Sequence, residues 1–151
     1  MNTKRDPLAP YTMFYKHLQE LIGTEGLLSW LSRSDASKTI EVEQYMPLRI
    51  SRVWHNKISL AHIGEQHGDV MHDPEVVFEI GGGTAEPINC RHDYTGSYSE
   101  VYVYDGTGKK THVRPAVKKD LKVFCVMWFK NLREQGFFKK AQLTNQQEGE
   151  N

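Results

Sequence analysis

Between His62 and Glu79 the stretch HIGEQHGDVMHDPEVVFE sets three histidines (His62, His67, His72) and five carboxylates (Glu65, Asp69, Asp73, Glu75, Glu79) between two apolar runs. Imidazole and carboxylate can ligate a transition metal, move protons or grip a basic partner. A metal site would draw on His62, His67, His72 and Asp69, with His92 and Asp93 joining from a neighbouring strand. No two histidines of the block stand at a spacing diagnostic for zinc. His62 also shares a strand face with Ile58 and Leu60, where a satisfied core histidine is the commoner outcome. An acid–base site would need Glu65 and Glu79 to face each other across a hairpin, with burial separating their pKa values. The chain holds no GxSxG, Walker loop, HExxH or paired CxxC, so no catalytic residue and no cofactor is assigned.

The reading that uses the block most directly is recognition. From Glu65 to Glu79 there are five carboxylates and no Lys or Arg, a local charge that attracts a basic protein surface. Its binding residues are Glu65, Gln66, Asp69, Asp73 and Glu75, with Tyr98 and Tyr102 on a neighbouring strand. Tyr98, Tyr102 and Tyr104 alternate with Val101 and Val103, so they are expected on one face with Glu100, a stripe on which single-stranded bases could stack. The intervening glutamate and a formal net charge of zero argue against nucleic acid. Lys109, Lys110, Arg114, Lys118 and Lys119 read as a solvated basic loop before the last helix, because cations at a helix start oppose its dipole. Gly81-Gly82-Gly83 follows a strand but lacks the later glycine and helix of a phosphate-binding turn, so it reads as a flexible connection.

The elements that position these residues follow from periodicity. Phe14, Leu18, Leu21 and Ile22 mark one face of a helix that Thr12 would cap and Gly23 would end, and Leu27, Leu28 and Leu31 suggest a second short piece. From Lys38 the period becomes two, through Ile40 and Val42, then Leu48 to Val53, then Lys57 to Gln66 after a turn at His55-Asn56. A loop of about eight residues is expected next, since Gly68 and Asp73-Pro74 suit a wide turn. Strands follow at Glu75 to Ile80, Pro87 to Tyr94 and Ser97 to Tyr104, the last ending at Asp105-Gly106. Val117, Leu121, Phe124, Trp128 and Leu132 fit a helical seam, with Pro115 in its first turn and Gly136 past its end. The fold class is therefore α+β, with an N-terminal helix or helices, a curved antiparallel sheet of about six strands and a buried C-terminal helix.

The 151 residues suit a single domain, 1–151, with an ordered core near 10–141 and polar tails at both ends. Cys90 and Cys125 fall in different elements and form no dense framework, so reduced thiols are expected. The N-terminus has no apolar leader and no stretch reaches the roughly 20 apolar residues that span a bilayer. A cytoplasmic protein is the expectation, with no membrane partner.

The Gly64-Glu65-Gln66, Gly68-Asp69 and Asp73-Pro74-Glu75 words, followed by CRHDYTGSYSEVY, resemble an uncharacterised domain family of bacteria, often carried on plasmids, phages and other mobile elements. More loosely, the tyrosine-rich strands and terminal Trp-containing helix look like the YqiB-like bacterial domains of unknown function. The resemblance implies a small α+β cytosolic protein with no assigned activity, and an adaptor or anti-defence role by association with mobile elements.

Overall fold

A computed structural model describes residues 6–149. The chain runs α1 (Ala9–Ile22), α2 (Leu27–Leu31), β1 (Ser37–Ile40), β2 (Leu48–Trp54), β3 (Lys57–Gln66), β4 (Asp69–Gly81), β5 (Thr84–His92), β6 (Ser97–Glu100), β7 (Tyr102–Tyr104), β8 (Lys110–Val113), α3 (Pro115–Glu134) and α4 (Phe137–Gly149). Strands β1 to β6 form one antiparallel sheet in sequence order, a meander curled into a half-barrel, and β7 pairs with β8 in a separate hairpin. The α+β architecture is as the periodicity indicates, with the helices sharing one core with the sheet.

Alternation sorts each strand. Leu48 and Ile50 of β2, Ile58 and Leu60 of β3, Val76, Phe78 and Ile80 of β4, and Ala85 and Cys90 of β5 are buried on the inner face. Helices supply the other half of the core. Phe14 of α1 lies 6.1 Å from Phe78 and 5.6 Å from Phe129 of α3, ring centre to ring centre, and Phe78 and Phe129 are 5.9 Å apart. This three-ring contact joins both long helices to the middle of the sheet and contributes packing beyond its buried area. Leu121, Cys125, Trp128 and Leu132 form the buried stripe of α3. Both cysteines are free and buried.

Several local features depart from the sequence reading. Thr12 does not cap α1. The helix starts earlier, at Ala9, with a proline in its first turn, and the Thr12 hydroxyl donates to the Leu8 carbonyl at 3.1 Å. The eight-residue loop is absent: β3 and β4 continue past the apolar core and meet at a two-residue turn, His67-Gly68, whose φ angles of 52° and 85° are those of a primed hairpin turn. The signal at Gly68 is met by the turn itself, whereas Asp73-Pro74 is accommodated within β4 at the register shift opposite His62. Gly82 and Gly83, with φ of 58° and 77°, make a second tight turn, held by the Thr84 hydroxyl on the Gly81 carbonyl, in place of a flexible connection.

The segment Ser97 to Tyr104 is not one strand. Val101 is fully buried, its N–H donates to Ile88 O at 2.9 Å and its carbonyl accepts from Arg114 N at 2.7 Å, so the chain changes sheets there. Past Gly136, where φ is 95°, Phe137, Phe138 and Ala141 of α4 are buried. The backbone is helical through Gly149, across much of the stretch read as a polar tail. Met1 to Arg5, read as the start of the other tail, lie outside the described residues. No helix among the described residues is long and apolar enough to cross a membrane.

Trp128 is 5 % exposed, with ring centres of Phe124 and His62 both 5.8 Å away. Trp128→Ala should therefore destabilise by about 3–5 kcal/mol in a denaturant melt. A loss below about 1 kcal/mol would place Trp128 outside the core.

Candidate functional site

Strand β4 decides where the acidic block goes. Its register sets Glu75 opposite Ala61 of β3 and Arg91 of β5, and Glu79 opposite Lys57 and Glu86. Glu65 stands opposite Val70, close to the turn. Glu65 and Glu79 therefore lie at opposite ends of the β3–β4 ribbon, and the acid–base pair between them does not form.

The three histidines also separate. His62 points to the inner face, its Nδ1 3.1 Å from Met46 O and its ring 5.8 Å from Trp128 and 5.5 Å from Phe137. His67 sits on the turn. His72 pairs with Ile63 and so takes the outer face, where Nδ1 accepts from Arg91 Nη2 at 2.7 Å. Because guanidinium only donates, that bond fixes Nδ1 of His72 as the unprotonated nitrogen. Among the described residues no group of three or more His, Cys, Asp or Glu side chains is disposed to hold a metal ion.

Asp73 and Asp93 do structural work that their spacing in the sequence does not announce. Asp73 accepts from His92 Nδ1 at 2.9 Å through one oxygen and from Tyr94 N at 2.9 Å through the other. Asp93 accepts from His72 N at 2.7 Å, and its own N–H donates to His72 O at 3.1 Å. Burial pushes the Asp93 carboxyl up, but the His72 amide and the Arg91 guanidinium outweigh it and hold the group below the ordinary aspartate range. Glu75 accepts from the Ser59 hydroxyl at 2.8 Å and lies 3.7 Å from Arg91 Nε. These side chains tie β4 to β5 where the sheet ends.

His92 continues the chain of contacts to Cys90, two residues earlier on the same strand face, with 3.5 Å between Nε2 and Sγ. A carboxylate, an imidazole and a thiol in this order have the connectivity of a nucleophilic triad. Burial first, then the nearby Asp73 and Glu75 charges, push the Cys90 thiol up to about 11, so at neutral pH it is protonated and a poor nucleophile. The arrangement orients His92 edge-on against Phe124, 5.7 Å away.

On one side of His92 is an open cavity of about 330 Å³ between the sheet and α3, whose lining includes Tyr45, Met46, His62, Asp73, Trp128, Asn131 and Gln135. A second, of about 240 Å³, opens on the other side of His92 over Cys90, Ser99 and Asp120. A larger cavity of about 480 Å³ lies at the other end of the sheet, by the two tight turns at 55–56 and 82–83, and contains none of the block's ionisable residues. Tyr94 reaches over the base of the β3–β4 arm so closely that a Cβ on Gly64 would collide with its hydroxyl, which explains the glycine.

What remains of the acidic surface is the arm itself. Glu65, Gln66 and Asp69 are exposed, and Val70 beside them is 61 % exposed. The tyrosines divide: Tyr98 on β6 is exposed and donates to Glu100 at 2.6 Å, with burial and then that hydrogen bond pushing its phenol up to about 12. Tyr102 on β7 is partly buried, donates to Glu86, and has Lys110 Nζ 4.2 Å over its ring. With Tyr98 on one sheet and Tyr102 and Tyr104 on another, they form no continuous stacking stripe. Of the basic cluster, Lys110 on β8 pairs with Glu79 at 2.6 Å and Lys118 on α3 pairs with Glu86 at 3.3 Å, so these two are not part of a solvated loop, while Lys109, Arg114 and Lys119 are exposed.

A domain-of-unknown-function family, DUF6908, matches residues 16–138. The chain belongs to this family. Curated proteins and solved structures provide no match. The DUF6908 match covers every strand, both cavities beside His92 and the arm, so the site lies wholly inside the family domain. Of its residues, Tyr45, Met46, Asn131 and Gln135 are not singled out by the sequence, and Cys90 stands out there only as a reduced thiol. The one signal available was that Cys90 and His92 alternate on a strand and so share a face.

Asp73→Ala would leave the His92 ring N–H and the Tyr94 amide without their acceptor, and should cost about 1–3 kcal/mol in stability. Asp69→Ala should stay within about 0.5 kcal/mol of the parent, as an exposed substitution does. Equal melts for the two variants would contradict the division.

Burial lowers the His62 pKa below its usual 6.5, the Met46 and Pro47 backbone contacts opposing only part of the effect. A lowered folded-state value means the contribution is complete above the unfolded value and is lost as pH falls through about 6.5 toward the folded one. The melting temperature should thus decline from pH 7 to pH 5. His62→Phe should decline less, with His17, lowered by burial and then by Arg133, supplying part of the rest. An unchanged slope in His62→Phe would refute the assignment.

Proposed function

We propose that the protein is a non-enzymatic binding module that takes a basic protein partner on the β3–β4 arm. The observation that carries this reading is the arm tip, where Glu65, Gln66 and Asp69 are exposed beside Val70 and none of the three has an ion pair or side-chain hydrogen bond among the described residues. A carboxylate pair beside one exposed aliphatic side chain offers a partner both charge attraction and an apolar anchor. Tyr45, Met46 and Tyr94, 45 %, 39 % and 44 % exposed near the base of the arm, would extend that contact. Asp73, Glu75 and Tyr102, spent on internal bonds, would act by holding the arm in place. The protonated thiol beside His92 favours binding over nucleophilic catalysis. An adaptor or anti-defence role would suit such a surface.

The test is fluorescence anisotropy with matched peptides, Lys/Arg-rich and Asp/Glu-rich, of equal apolar content. Basic peptides should bind, weaken as salt rises, and lose about tenfold or more in affinity on Glu65→Lys with Asp69→Lys, the melting temperature holding. Equal binding of both peptide classes, or no response to the double reversal, would contradict the reading.

A further inference from the structure

The outward face of α3 carries a second pattern, separate from the arm and meeting the smaller cavity beside His92 only through Asp120. Ala116, Asp120, Val123, Met127, Lys130 and Glu134 follow one another at alternating intervals of four and three, the spacing of a coiled-coil seam, on the side of the helix away from the buried stripe Leu121, Cys125, Trp128 and Leu132. All six are exposed, Val123 at 58 % and Met127 at 51 %, and Val126 on the flank is 53 % exposed. An amphipathic surface helix ordinarily shows charged residues there. Here the centre of the solvent face is apolar, and the charges stand at its two ends.

Those charges say what covers it. The seam reads the same under a two-fold rotation about an axis level with residue 125: Val123 then lies opposite Met127 of a second helix, Asp120 opposite Lys130, and Ala116 opposite Glu134. Neither Asp120 nor Lys130 has an ion-pair partner within the chain among the described residues. A parallel pairing would instead stack Asp120 on Asp120 and Lys130 on Lys130, like charge against like. We propose that the protein forms an antiparallel homodimer through this face of α3, with Val123 and Met127 at its centre and two Asp120–Lys130 pairs closing it. Such an isologous interface closes on itself and leaves both arms free. One helix pair buries a small area, so association is concentration-dependent, with a Kd on the order of micromolar or weaker.

Sedimentation equilibrium on the whole chain over about 1 µM to 1 mM reads this directly. The parent should shift from monomer to dimer across that range. Asp120→Lys and Lys130→Asp should each weaken the dimer about tenfold, and the two together should restore it, because the swap rebuilds both pairs with inverted sign. Carbodiimide coupling of the unaltered protein should join Asp120 to Lys130 between copies, a link that two ends of one rigid helix about 15 Å apart cannot make within a chain. A monomer at every concentration, a double variant no better than the singles, or coupling products lacking the Asp120–Lys130 link would each overturn the proposal, the last pointing to a different partner for this face.

Discussion

The register of β3 against β4 is the constraint on which the rest depends. Pairing Leu60 with Val76 and Ile58 with Phe78 places all four of these buried side chains on one side of the ribbon, and the same alternation turns Glu75 and Glu79 outward. A slip of one residue would bury the acids and expose Val76 and Phe78, so the core and the charge distribution are specified together. The bulge between Ala61 and Ile63 adds one refinement. It lets His62 face the core while His72, across the ribbon, faces out.

From this register follows the division of labour among the carboxylates. Where β4 leaves the core it keeps β3 beside it but passes the end of β5, and the backbone groups on that side would lack partners. Asp73 and Asp93 supply them, each accepting an amide from the opposite strand while holding a histidine or arginine. Acids at the sheet's edge are therefore part of its hydrogen bonding, whereas those nearer the turn have no such task. A chain with as many acids as bases can still present local negative charge at the arm tip, because Arg91, Lys110 and Lys118 are matched to Glu75, Glu79 and Glu86 away from it.

The fold was legible where period and burial agreed. Phe14, Leu18 and Leu21 announced α1, and Leu121 to Leu132 announced α3, because their apolar faces recur at helical spacing over several turns. The hairpin at His55-Asn56 was legible for the same reason at period two. The turn at His67-Gly68 is hidden because Asp73-Pro74 signals a break that β4 absorbs, and the division of 97–104 because Val101 looks like any alternating valine, though one of its backbone bonds goes to Ile88 of β5 and the other to Arg114, just past β8. Of the site, sequence located the acids and histidines but not their partners. Asp73 meets His92 and Asp93 meets His72 across strands about twenty residues apart in sequence, a relation fixed by register and invisible to spacing.

The central claim is that the residues from Glu65 to Glu75 are paired strand, sorted to two faces, with only the tip free. Amide-resolved NMR on isotope-labelled protein tests it most directly. Cross-strand contacts should link Glu65 with Val70 and Lys57 with Glu79, and the His72 and Tyr94 amides should exchange slowly while those at the tip exchange fast. An open loop over 65–75, a register displaced by one residue, or fast exchange at His72 and Tyr94 would contradict the account.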